Sequence, residues 1–139
     1  MAFHPYLMFA GNCRAAFTRY HEIFGGDLVL LDMNDAPPDA RPPGVDPNLI
    51  MHAALKIGDE LLMASDDPTT GTISAQGMQV NYSTPDPAEA KRAFDALADG
   101  GTVNAPLGPT FFSPAFGMCV DRFGVPWMVS TDPPAEATA

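Results

Sequence analysis

The chain has 139 residues, two cysteines and a formal net charge of −10, from seven Lys+Arg against seventeen Asp+Glu. That length suits one domain, or two small halves sharing a core, and is enough to bury a core without a disulfide or metal staple. The acidic balance argues against nucleic acid and anionic membranes, which need a cationic patch, and no apolar run approaches the ~20 residues of a membrane helix.

Further bounds come from the ends and the thiols. The N-terminus lacks the basic segment and long apolar stretch of a signal peptide. Cys13 and Cys119 match no metal or redox spacing. The expected compartment is therefore the cytoplasm.

In chain order, "FHPYLMFAG" is a short aromatic-rich strand closed by Gly11. "NCRAAFTRYHEIFGG" reads as a helix, with Asn12 as N-cap, Cys13, Phe17, Tyr20 and Phe24 at helical spacing, and Gly25-Gly26 as the stop. "DLVLLDM" is the next strand. Residues 34–48 hold five prolines and no hydrophobic period, so they form a long loop, expected to be mobile or to act as a lid. "LIMHAALKI" and "ELLMASD" are two strands joined by a tight Gly58-Asp59 turn. Residues 67–76 form a polar connector.

The pattern then restarts. "MQVNYST" is a strand. "DPAEAKRAFDALADGG" is a helix capped by Asp86, with Pro87 in its first position, Glu89 in the capping-box position, and a buried face of Ala90, Ala93, Phe94 and Leu97. "TVNAPL", "FFSPAFGMCV" and "PWMVS" are three further strands. At one constant offset Asn12, Ala16, Tyr20, Ile23 and Gly26 fall on Asp86, Ala90, Phe94, Leu97 and Gly100. At a second, Gly58 and Ser65-Asp66 fall on Gly124 and Thr131-Asp132. Each half therefore reads βαβββ, and the expected class is α+β. The expected modules are residues 1–66 and 77–132 within one structural domain, followed by a frayed tail at 133–139.

Several residues are candidates for chemistry. His52 alternates onto the face of Ile50, Ala54 and Lys56, where it is either a general acid or base or a core histidine bonded across the sheet. Asp66 ends the next strand and either orients His52, polarises a ligand or caps a turn. Cys13 sits in the first helical turn, where the dipole favours a thiolate, but a free cysteine is commonly a small core hydrophobe. Phe111, Phe112 and Trp127 line an apolar pocket or belong to the core or an interface.

The phrases "YLMFAGNCRAAFTRYHEIFGG", "MHAALKIGDELLMASD", "AEAKRAFDALADGG" and "FGMCVDRFGVPWMV" together resemble the vicinal oxygen chelate superfamily (glyoxalases, bleomycin-resistance proteins, dioxygenases). They resemble its PhnB-like branch most, whose members are often labelled as similar to a demethylubiquinone methyltransferase. No glycine-rich strand-to-helix turn suggests a nucleotide-type methyl donor. The resemblance implies modules curled into a cup-shaped, mainly antiparallel sheet with helices on the convex face. It also implies a homodimer and a small-molecule ligand. Its metal enzymes place ligands at positions that here are His4, Leu62 or Met63, Gln79 and Met128. Only His4 is a strong donor there, so no metal residues are assigned and no cofactor is expected, although a divalent ion in a rearranged site stays open. His4 and Gln79 join Phe111, Phe112 and Trp127 as candidate ligand contacts. The expected function is binding or processing of a small molecule at a degenerate metal site. The alternatives are a metal-dependent isomerase, lyase or dioxygenase, and a sequestering protein of the bleomycin-resistance kind.

Overall fold

The computed structural model describes residues 1–67 and 75–132. The tail and most of the connector named above lie outside the described residues. The chain divides into two compact units, Met1–Ile73 and Ser74–Ala139.

The first unit runs β1 (Tyr6–Phe9), α1 (Cys13–Phe24), β2 (Asp27–Asp32), β3 (Ile50–Ile57) and β4 (Glu60–Asp66). The second runs β5 (Val80–Ser83), α2 (Pro87–Ala98), β6 (Thr102–Gly108), β7 (Phe116–Val120) and β8 (Pro126–Ser130). The sheets have the orders β1-β4-β3-β2 and β5-β8-β7-β6. In each, the first strand lies parallel to the last, and the other two pairs are antiparallel. This is the repeated βαβββ order, in the α+β class that the sequence implied.

Each helix covers one face of its own sheet. Cys13, Ala16, Phe17, Tyr20 and Ile23 are the buried stripe of α1, and Ala90, Ala93, Phe94 and Leu97 that of α2. Phe9, Phe17 and Tyr20 are fully buried and meet edge to face. Each such ring contributes about 2–3 kcal/mol by leaving water.

The helix starts differ from expectation at one end. Asp86 caps α2 as read, its Oδ1 accepting from the Ala88 amide at 3.0 Å. Glu89 turns away from the capping box to pair with Arg92 and accept from the Tyr82 hydroxyl. Asn12 makes no side-chain cap bond. Asp66, arriving from β4, does that work for α1: its Oδ1 accepts from the amides of Gly11 and Cys13 at 2.9 and 3.0 Å.

Residues 34–48 lie in the loop between β2 and β3, as read. They contain a 3-10 turn at Pro38–Ala40, next to one at Met33–Asp35. Arg41 ties the loop by donating to the carbonyls of Asn34 and Ala36, and Asn34 Nδ2 reaches Pro47 O and Asn48 Oδ1. In the second unit, "FFSPAFGMCV" becomes a strand only at Phe116. Before it, Thr110 Oγ1 accepts from the amides of Phe112 and Ser113, forming a hydroxyl-backed turn that competes with the ladder.

Candidate functional site

A sheet with a helix on one face leaves its other face open, and the register says which side chains lie there. In the first unit Tyr6 pairs with Met63, Met8 with Ser65, Val29 with Ala54 and Leu31 with His52. Met63 pairs with Ala54. Directly paired residues share a face, so all of these lie opposite α1. The face is apolar and accessible: Tyr6, Met8, Val29 and Leu31 are 45%, 46%, 48% and 41% exposed.

Its polar centre is a pair. Tyr6 Oη lies 3.2 Å from His52 Nδ1, and the two rings are 5.8 Å apart at 31°. Tyr6 stands on β1 and His52 on β3, so the contact crosses β4. Next to it Ser65 Oγ points to Met8 Sδ at 3.5 Å. His52 thus occupies the open face, with Ala54 as read, but not with Ile50. A bulge at Met51, where Leu31 pairs with His52 and Asp32 with Ile50, turns Ile50 into the core, where it is buried.

Asp66 does not join His52. It pairs with Phe9 on the helix side, and besides the amides of Gly11 and Cys13 it accepts from Ile50 N through Oδ2 at 2.9 Å. Both oxygens are taken by backbone, so the expected catalytic role gives way to a structural one. Cys13 is likewise core: burial, followed by the Asp66 charge, pushes its thiol from 9.0 up to about 12, although Arg14 pulls the other way. The helix dipole does not win there. Burial and Asp121 push Cys119 up to about 11.

His4 precedes β1 and is exposed. The ambiguity between Leu62 and Met63 is settled by register. Leu62 pairs with the buried Leu55, while Met63 is on the open face.

In the second unit Asn81 pairs with Met128, Ser83 with Ser130, Met118 with Met128, and Phe116 with Ser130. These form its open face. Gln79 joins it, donating Nε2 to Met118 Sδ at 3.4 Å. A polar row runs along β5: Ser130 Oγ donates to Asn81 Oδ1 at 3.2 Å, and Ser83 Oγ to Asp132 Oδ1 at 2.8 Å. Phe112 packs edge to face on Phe116 at 5.1 Å, and Phe111 on Phe112 at the same spacing. Phe112 and Phe111 therefore reach this face through Phe116.

Trp127 does not. It pairs with Val80 and Cys119 on the α2 side and is 2% exposed. Its position one residue before Met128 is enough to place it in the core, because alternate strand residues face opposite ways.

The four positions that the resemblance marks for metal carry an imidazole, two thioethers and an amide already donating to sulfur. Hard divalent ions take several oxygen or nitrogen donors, so this set does not fit them. Among the described residues no three His, Cys, Asp or Glu side chains group to hold a metal ion. A nucleotide-type methyl donor fares no better at the β1–α1 turn, where the Gly11 and Cys13 amides are held by Asp66. Sequence reasoning passed over Tyr6, Asn81 and Ser130. Tyr6 was detectable, since alternation from His4 puts it on the same side of the first strand. Asn81 and Ser130 become visible only once β5 is known to lie beside β8.

Over residues 1–130 the chain matches the family described as 3-demethylubiquinone-9 3-methyltransferase. It is 33% identical to Protein YjdN of Escherichia coli (strain K12) over 139 residues, covering 94% of this chain and 95% of the relative. Among solved structures it is similar to protein PA1353 from Pseudomonas aeruginosa, with 45% identity, a TM-score of 0.86 and coverage of 95% and 98%. A putative 3-demethylubiquinone-9 3-methyltransferase, PhnB protein, from Bacillus cereus shares the fold at 23% identity and a TM-score of 0.75, covering 94% and 99%. So does a glyoxalase/bleomycin resistance protein/dioxygenase family enzyme from Burkholderia phytofirmans PsJN, at 12% identity and a TM-score of 0.65, covering 94% and 97%.

Proposed function

Because the chain belongs to the family described as 3-demethylubiquinone-9 3-methyltransferase and shares its fold with a PhnB protein and a glyoxalase/bleomycin resistance protein/dioxygenase family enzyme, we propose that it is a PhnB-like protein of the vicinal oxygen chelate kind that binds or processes a compact, mainly apolar small molecule without a metal-dependent step. One observation carries this reading. The open face of the first sheet is lined by Tyr6, Met8, Val29 and Leu31, all substantially exposed, around the Tyr6–His52 polar pair. A mostly apolar lining with few placed polar groups is what small-ligand sites have in common. The thioethers of Met63 and Met128, at positions where relatives with metal chemistry need hard donors, support the metal-free form of the reading. The protein is read as a homodimer, the commonest symmetric assembly, acting in the cytoplasm. Among the described residues no helix is long and apolar enough to cross a membrane.

Thermal denaturation with a panel of uncharged mono- and bicyclic compounds tests the proposal. A ligand at a hundred times its Kd adds about 2.7 kcal/mol to stability. Some members should raise the midpoint, Leu31→Asp should cancel the rise, and a chelator should leave it intact. A panel without effect would reject the reading. A rise that requires added divalent ion would favour the metal-dependent alternative. Turnover of a binding compound separates processing from sequestration.

A further inference from the structure

Resting on the homodimer reading above, we propose that the uncharged stretch from Thr102 to Val120 is the surface through which two copies of the chain meet, with Phe111 and Phe112 as its anchors. Charge selects the stretch. The chain carries −10, so two copies repel, and a contact between them is least opposed where neither side brings a carboxylate. Between Asp99 and Asp121 no residue is charged. A cationic partner would be drawn to the acidic remainder of the surface, whereas a second acidic chain fits the part without acids. That part is also apolar and open: Phe111 is 101% exposed, Phe112 48% and Val103 47%.

The rings are held in place before any contact forms. Phe111 packs on Phe112, and Phe112 on Phe116, at 5.1 Å each. Thr110 closes their turn, donating its amide to Ser113 O at 2.9 Å. Ser113 Oγ donates to Thr131 O at 2.6 Å, which ties the turn to the end of β8. Rings fixed in this way lose little freedom on docking, as interface anchors require. The contact runs through side chains. β6 is an edge of its sheet, and an open edge invites a further strand. Pro106 removes a backbone donor there, and register shifts at Val103/Ala105 and Ala105/Gly108 distort the edge. A twofold axis then brings the same stretch of both copies face to face. A phenylalanine buries about 150–250 Å², so the two anchors give on the order of 300 Å². With Val103, Asn104, Pro106 and Pro109, all exposed, the stretch approaches the roughly 800 Å² per partner of a stable interface.

Sedimentation equilibrium of the full chain at low and high salt tests the surface. Wild type should be a dimer that tightens with salt, because salt screens the repulsion between copies. Phe111→Asp should weaken it at least about thirtyfold, the loss of one hot spot. Phe111 is fully exposed, so the change leaves the core untouched. Leu31→Asp, on the open face of the first sheet, should leave the dimer intact. A dimer that survives Phe111→Asp, or that Leu31→Asp dissociates, overturns the surface while the homodimer reading stands. So does a dimer that salt weakens, since ion pairs then hold it. A monomeric wild type overturns the surface and the homodimer reading together. Phe111-dependent pelleting of that monomer with neutral phosphatidylcholine vesicles would assign the anchors to a bilayer instead.

Discussion

The indole Nε1 of Trp127 donates to Oδ2 of Asp121 at 2.9 Å. The other oxygen of the same carboxylate accepts from the amides of Phe123 and Val125 at 2.9 and 3.0 Å. Asp121 is 5% exposed, so this one buried group closes the β7–β8 turn and holds the only tryptophan on the helix side.

Removing that carboxylate takes the acceptor from two buried donors, Val125 N and Trp127 Nε1, and from the part-buried amide of Phe123. Asp121→Ala should therefore destabilise the protein by about 3 kcal/mol, since each unmet buried donor costs about 1–3 kcal/mol before relaxation. Asp121→Asn retains an acceptor for the amides but turns an N–H toward the indole, and should lose about half as much. Urea denaturation checks both, with a lowered midpoint and an unchanged slope.

Asp66 gives a companion case in the first module. Asp66→Ala should cost about 2 kcal/mol, at the upper end for a helix cap because Ile50 N also loses its partner. Ligand binding at the open face should persist in the folded variant. Loss of binding at full stability would restore the functional role that its position suggested.

The thiols set an alkaline limit. Below pH 9.0 both the folded and the unfolded chain keep Cys13 protonated. Above it the unfolded thiol ionises, while the folded one stays neutral up to about 12. Stability should therefore fall as pH rises through that window, and Cys13→Ala should flatten the fall. In native protein at pH 8, both thiols should react with a disulfide reagent far more slowly than in denatured protein.

The double glycines after α1 should separate cleanly. Gly25 has φ +72 and ψ −147, a backbone region essentially reserved for glycine, but open space where a Cβ would go, so Gly25→Ala should cost about 2 kcal/mol through backbone strain alone. Gly26 has φ +83, and its Cβ would collide with the backbone carbonyl of Lys56. Gly26→Ala should cost at least twice as much, read from the same urea curves.

Sedimentation equilibrium at micromolar concentration should return the mass of a dimer. Elemental analysis after dialysis should find less than one equivalent of Mn, Fe, Co, Ni or Zn per subunit. A stoichiometric ion that His4→Ala removes would promote the rearranged metal site.

The module order was legible because local signals carry it. The Asp86-Pro87 start and the double-glycine stops each sit within a short window, and the constant offset that carries Tyr20 onto Phe94 repeats those local signals in the second half. The site was less legible because its contacts are long-range. Asp66 caps amides more than fifty positions away, and no window contains both partners. His52 was placed on the correct face, but Ile50 was misassigned because the Met51 bulge breaks the period of two. Trp127 was offered as pocket lining on its chemistry, although its parity with Val129 assigns it to the core.

The parallel pairing of β1 with β4 also bears on how the chain assembles. β2, β3 and β4 meet through a tight hairpin and a loop, whereas Met8 reaches Ser65 across 57 positions. Closing that span costs chain entropy that the ladder to β4 must largely repay, because among the described residues β1 has a single neighbour in its sheet. Docking of β1 is then the late step in folding of this module, and the Asp66 bonds to Gly11 and Cys13 form as it docks. Amide exchange should record the order, with the β1 amides opening at lower free energy than those shared by β3 and β4.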